Sequence, residues 1–139
     1  FNTMHATGKG PHWTWAVTVL LFILIAWLST MPGHDSYEDA EARALTPHEA
    51  RFADAAGFEE AQDIVLGRCS MCHAREPVWE GMHWAPKGVF LETTSDITKH
   101  ARDIYLQAGV SHAMPPANIT DLPPEDRRKI IAWYRAGKS

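Results

Sequence analysis

Apolar and polar positions divide this chain into two unlike parts. His12 to Met31 reads HWTWAVTVLLFILIAWLSTM, and no Asp, Glu, Lys or Arg occurs from Gly10 to His34. A buried helix of a water-soluble protein would show one polar face, and this stretch shows none. At 1.5 Å per residue, residues 13–31 reach roughly 28 Å, close to the hydrocarbon core of a bilayer. Trp13, Trp15 and Trp27 fall near the two ends, where interfacial aromatics collect. A cleavable signal peptide is the competing reading, because the strictly apolar core is short. The stretch lacks an Arg/Lys-rich leader and an Ala-x-Ala exit. We therefore expect one transmembrane helix over 13–31, preceded by a loop over 1–12, with the lipid bilayer as its partner.

Beyond Met31 the pattern changes to short helical periods separated by breakers. Residues 32–45 are rich in charge and small side chains without apolar periodicity, and read as an acidic linker. Thr46-Pro47-His48-Glu49 is a helix start, with Thr46 as N-cap and Glu49 closing a capping box. Phe58 to Arg68 continues as a helix that offers Ile64 and Val65 to a core. Residues 74–94 are broken by Pro77, Gly81, Pro86 and Gly88. Ser95 or Asp96 is expected to cap the next helix, whose stripe is Ile97, Ala101, Ile104, Tyr105 and Ala108. Gly109 is expected to end it. Residues 110–122 form a loop, and Pro123-Pro124-Glu125 opens a last helix carrying Ile130, Ile131, Trp133 and Tyr134. No stretch alternates as a strand would. The fold class is all-α, with one domain over 46–139.

Charge changes this picture in one respect. The net charge of −4 gives no basic footprint for nucleic acid. Nine acids face only Arg43 and Arg51 between Pro32 and Leu66, whereas ten Lys/Arg stand against eight acids from Gly67 onward. The acidic stretch reads as solvated spacer and helix surface. Lys9 precedes the apolar segment, and Asp35, Glu38, Asp39 and Glu41 follow it. That order places the carboxyl-terminal part outside the cytoplasm. The chain begins FNTMHATGKG, which reads as a loop between membrane helices, so a longer parent protein is expected.

Chemistry enters with Cys69-Ser70-Met71-Cys72-His73. Cys-x-x-Cys-His is the attachment pattern of c-type haem: each thiol adds across one vinyl group, and the histidine is set to bind the iron. A thioredoxin-like pair would need a βαβ context, and the flanks here read helical. A structural zinc site would want a second ligand pair, and these are the only cysteines. A plain disulfide leaves His73 without a reason. Haem attached through Cys69 and Cys72 also places the domain in the periplasm, because that attachment occurs outside the cytoplasm.

His73 leaves one axial position to fill. Met114 stands in a loop 41 residues later, and Pro115 and Pro116 stiffen the backbone behind it. His112 is its rival and would give a bis-histidine site. Met71 lies within the attachment turn, and Met82 and His83 follow His73 too closely to reach the far face. His100 reads as solvated, opposite the apolar stripe. His5, His12, His34 and His48 lie outside the core. The carbonyl of Pro86 is the candidate acceptor for the outer N–H of His73. Trp84 or Trp79 could wall the haem or bond a propionate, and Arg75 and Lys87 are possible propionate partners. His/Met ligation raises the reduction potential and fills both axial positions, which suits one-electron transfer.

From about Thr46 to Gly137 the chain resembles class I cytochromes c, with an amino-terminal helix, the haem motif, a Met-Pro loop and a carboxyl-terminal helix. That resemblance implies that the first and last helices cross, with the Phe58–Val65 segment against Ile130, Trp133 or Tyr134. A narrower resemblance rests on IVLGRCSMCHAREPVW, APKGV, IYLQAGVSHAMPPANIT and the GKGPHWTW run into the apolar helix. These are similar to the carboxyl end of PuuD-type membrane-bound urate oxidases, bacterial inner-membrane urate hydroxylases of purine catabolism. It implies that this chain is the last membrane helix and the electron-accepting haem domain of such an oxidoreductase. The partners implied are the parent's membrane domain and a downstream cytochrome c or terminal oxidase. No catalytic residue falls in this chain on that reading. The alternatives are a membrane-anchored cytochrome c of a respiratory chain, or a haem sensor or peroxidase-like module with an open iron position.

Overall fold

The computed structural model describes residues 13–30 and 36–139, which divide into two units on either side of residue 34. The expected loop over 1–12, with His5 and His12, and His34 in the linker lie outside the described residues. The described residues are mostly helical, and no strand occurs among them.

The first unit contributes helix α1, Trp13–Thr30. Its apolar side chains from Trp13 to Leu28 are exposed on all faces. Its hydroxyls turn back onto their own helix: Thr18 Oγ1 donates to the Thr14 carbonyl at 2.9 Å and Ser29 Oγ to that of Ile25 at 2.7 Å. No helix among the described residues is long and apolar enough to cross a membrane. With 18 residues, α1 reaches about 27 Å, just short of the ~20 residues that a bilayer core requires. The expected transmembrane segment is therefore present as an apolar helix and not as a full span.

The second unit is a bundle of short helices. Helix α2 (Tyr37–Ala42) forms inside the stretch read as linker, so the helical unit starts about ten residues earlier than expected. Ser36 caps it, accepting from Asp39 N–H, while the Asp39 carboxylate accepts from the Ser36 backbone at 3.4 Å. The signature was local, but an acidic run hid it. Helix α3 (Pro47–Ala53) starts on the Thr46/Glu49 capping box as the sequence predicts. Helix α4 (Phe58–Arg68) follows Gly57, whose φ of 84° suits a residue without Cβ.

Helix α5 (Thr94–Lys99) is capped by Thr93 rather than by Ser95 or Asp96, because Asp96 is the N3 partner that closes the box. The chain breaks at His100 (φ −99°, ψ 15°) and resumes as α6 (Ala101–Ile104). It then widens into a π-helical turn, Tyr105–Val110, so Gly109 lies inside this segment instead of ending it. The last helix, α7, runs Pro124–Lys138.

Helix α7 packs on α3, α4 and the π turn, and α5 packs on α2, α3 and α4. Their buried faces meet in one core of Phe52, Val65, Ile97, Leu122, Ile130 and Trp133. Each such side chain stabilises by about 1.5–3 kcal/mol through burial. Trp133 anchors the crossing. Its Nε1 donates to the Phe52 carbonyl at 2.8 Å, and its ring lies 6.0 Å from Phe52 and 5.9 Å from Phe58. Gly137 lets α7 approach so closely that a Cβ there would stand 2.9 Å from Phe52 Cε1.

Candidate functional site

Helix α4 delivers the cysteine motif to a cleft. Its last turn runs on through Cys69 N–H, which donates to the Val65 carbonyl at 2.8 Å. The N–H groups of Cys72 and His73 then both donate to the Cys69 carbonyl, at 3.1 and 2.9 Å. This tight turn brings Cys69, Cys72 and His73 to the wall of one cavity of about 380 Å³. Leu91, Ile104, Ala108 and Ile119 supply apolar wall, and Met114 joins it from the 110–122 loop.

His73 is held at two points of a single segment. Its Nδ1 lies 2.9 Å from the Val89 carbonyl oxygen, and its own carbonyl accepts Leu91 N–H at 2.7 Å. A carbonyl only accepts, so Nδ1 carries the proton and Nε2 keeps its lone pair. The expected acceptor, Pro86, is displaced from this role. Its carbonyl takes Val89 N–H at 3.2 Å inside a 3₁₀ turn, Pro86–Gly88, which turns the Val89 carbonyl toward the imidazole. Pro86 remains part of the cavity wall.

Arg75 braces the same segment. It donates to Glu92 at 3.0 Å and to Asp96 at 2.9 and 3.3 Å, and its guanidinium stands 4.6 Å over the Phe90 ring. It does not line the cavity, so its expected role as a propionate partner is replaced by a structural one. Burial pushes the Asp96 carboxyl up, but the Arg75 guanidinium and the Thr93 donors more than offset this and hold it below its ordinary value.

Met114 is held from the opposite wall. Its N–H donates to the Gln107 carbonyl at 3.0 Å. The buried Arg127 of α7 gathers three acceptors: the carbonyls of Ala108 at 2.5 Å and Met114 at 2.9 Å, and Asn118 Oδ1 at 2.8 Å. The end of the Tyr105–Val110 turn makes this possible, because the carbonyls of Gln107 and Ala108 in its last four residues are left for the loop and for Arg127. Sequence reasoning used α7 only for its apolar residues and missed Arg127. A basic side chain among Arg128 and Lys129 carries no sign of burial.

The remaining candidates separate clearly. Trp84 is 81% exposed and Trp79 is half-buried, and neither lines the cavity. His112, at φ 56°, is exposed and also outside it. His100 does line the cavity, 3.3 Å from Asp103, because the break at α5 swings it off the surface expected of a continuous helix. Lys87 lies at the wall as well.

The setting disfavours the thiolate form of both cysteines. Burial pushes Cys69 up to about 12, with Cys72 adding to the rise and Arg127 opposing it, and burial also raises Cys72. Redox and nucleophilic cysteines have the opposite character. Among the described residues no group of three or more His, Cys, Asp or Glu side chains could hold a bare metal ion. One imidazole and one thioether do suffice for an ion whose equatorial positions a macrocycle fills. Thr120 Oγ1 is buried without a hydrogen-bond partner. The donor set and the apolar walls fit a haem. No protein-family description, curated protein or solved structure matches this chain.

Proposed function

We propose that residues 36–139 carry a haem c and relay single electrons for a membrane-bound oxidation. The carrying observation is that Cys69, Cys72, His73 and Met114 line one cavity, with the outer nitrogen of His73 already engaged by Val89. A haem held there supplies a one-electron Fe(III)/Fe(II) couple.

Cys69 and Cys72 hold the group through thioethers. Each S–H adds across a vinyl C=C, the sulfur bonding one carbon and the proton going to the other, so no net redox change is needed. The Val89 bond fixes the His73 tautomer and raises its basicity as a ligand. Met114 would supply a thioether to the group, which favours a high potential. Arg127 and the π turn keep that sulfur at the wall, and Leu91, Ile104, Ala108 and Ile119 exclude water. The arrangement suits relay of electrons.

Helix α1 belongs in a bilayer on this reading, supported by apolar side chains on all faces and by hydroxyls satisfied within the helix. The electron donor is urate, oxidised in the membrane domain of a longer parent at the bacterial inner membrane. The acceptor is a cytochrome c or terminal oxidase on the periplasmic side. This part of the proposal rests on the sequence resemblance.

The test uses membranes containing the full-length protein. Urate added without oxygen is expected to reduce the haem, seen in its absorption. A haem that stays oxidised with urate but reduces with ascorbate would make the chain a general anchored electron carrier.

A further inference from the structure

Among the described residues, His100 is the one histidine besides His73 in the wall of the cavity. Its side chain is 20% exposed, so a proton can reach it from solvent. The main chain fixes its place on both sides of the break between α5 and α6. The His100 N–H donates to the Asp96 carbonyl at 3.1 Å, and the His100 carbonyl accepts Ile104 N–H at 2.9 Å.

The ring has one nitrogen committed and one available. Its Nδ1 stands 3.3 Å from Asp103 Oδ2, and Asp103 lines the same wall. A carboxylate only accepts, so Nδ1 carries the proton of the neutral ring, and Nε2 is the nitrogen that gains or loses one. Histidine is the side chain whose charge ordinarily changes between mildly acidic and mildly alkaline pH. Aspartate, lysine, arginine and tyrosine ordinarily do not titrate in that range. Those on its own segment are Lys99, Arg102 and Asp103. Across the cavity stand Arg68 at the end of α4 and Lys87 of the 86–88 turn. Helix α7 contributes Arg127, whose donors go to Ala108, Met114 and Asn118, and the π turn contributes Tyr105, stacked on Tyr134 at 4.3 Å.

We infer that His100 is a proton-binding site coupled to the electron held in this cavity, an inference that rests on the haem reading. Reduction of Fe(III) to Fe(II) by one electron from the donor removes one positive charge from the cavity. An imidazolium in the wall is then repelled less, so His100 Nε2 takes one proton from solvent, and no bond to the iron is made or broken. Reoxidation sends the electron to the acceptor and the proton back to solvent. Coulomb attraction and repulsion act across the wall, so the coupling needs no contact between the imidazole and the ring. Asp103 favours the protonated imidazole in both states, and because Asp103 is 65% exposed its influence is small.

The test follows the midpoint potential of the haem-loaded full chain against pH, beside H100Q and D103N. The wild-type potential is expected to fall as pH rises through the histidine range, because alkaline solution removes the proton that favours reduction. H100Q has no charge to gain there. Its potential should match the wild-type value at alkaline pH and lie below it at acidic pH, with the fall removed. D103N should keep the fall and move it to lower pH by roughly a few tenths of a unit. Proton NMR of the unsubstituted chain gives a second readout: the His100 ring should titrate at higher pH in the reduced form than in the oxidised form. An H100Q curve that falls as the wild-type curve does overturns the inference and assigns the fall to the carboxylates of the haem. A His100 inflection identical in both oxidation states also overturns it. A chain that takes up no haem overturns the haem reading itself.

Discussion

The imidazole of His73 and the carbonyl of Val89 meet at 2.9 Å, although 16 residues separate them. The contact is made by a backbone oxygen, and its aim is set by the 3₁₀ turn at Pro86, where Lys87 and Gly88 take φ values of 57° and 65°. Lys87 pays a strain here that glycine would not. Lys87→Gly is expected to leave the bond in place, whereas Gly88→Val should misdirect the Val89 carbonyl. Loss of the Nδ1–H signal in proton NMR of the haem-loaded chain would report it.

Cys72→Ala is expected to abolish stable covalent haem attachment. Haem staining of denatured protein checks this, and a normally stained band would remove the basis for assigning the motif.

Met114→Ala should keep the covalent haem, lower its potential and let the reduced form bind carbon monoxide without denaturant. His112→Ala should change none of these, because His112 lies outside the cavity. The reverse outcome would transfer the ligand role to His112.

Arg127→Met leaves the carbonyls of Ala108 and Met114 and the Asn118 side chain without their shared donor. A loss of about 2–4 kcal/mol in denaturant unfolding is expected, together with weakened sulfur ligation. Arg127→Lys should recover part of the stability, since one ammonium can reach only some of the three acceptors.

Acid should weaken the α2–α3 side of the bundle. Burial pushes the Glu49 carboxyl up, but the Arg43 guanidinium and Thr46 more than offset it and hold it at about 2 against an ordinary 4.5. A depressed carboxyl stabilises the fold fully above 4.5, and that contribution fades as pH falls toward 2. Asp96, also lowered, acts with the same sign. Glu49→Gln should flatten the acid limb of a pH–stability curve, and an unchanged limb would count against the pair.

Gly137→Ala tests the α3–α7 contact. Phe52 has no room to yield, with His48, Tyr134 and Trp133 rings at 5.1, 5.4 and 6.0 Å. A net loss of about 1–3 kcal/mol is expected despite alanine's better helix propensity. A rise in thermal midpoint would show that the terminal turn frays away from Phe52.

What could be read from sequence was local. The Thr46/Glu49 box, the Phe58–Arg68 helix and the cysteine turn each depend on neighbours within a few residues, and each was legible. Thr93 was missed because four hydroxyl or carboxyl groups in a row, Thr93 to Asp96, could each have capped α5, and only the N3 geometry chooses. His100 was misread because one stripe was taken for one helix, whereas the chain breaks there. Val89 and Arg127 gave no signal. The first acts through its backbone, and the second resembles a surface charge. The cavity required tertiary packing that no window of sequence contains.

Both sides of the cavity are fastened largely through main-chain atoms: the carbonyls of Val89, Ala108 and Met114, and the N–H of Met114. Met114 and Asn118 are the loop side chains that join these anchors. The exposed faces of the 84–89 and 111–119 loops can therefore drift in sequence while the interior stays fixed. The outside of this domain can be retailored to a new docking companion without retuning what lies within.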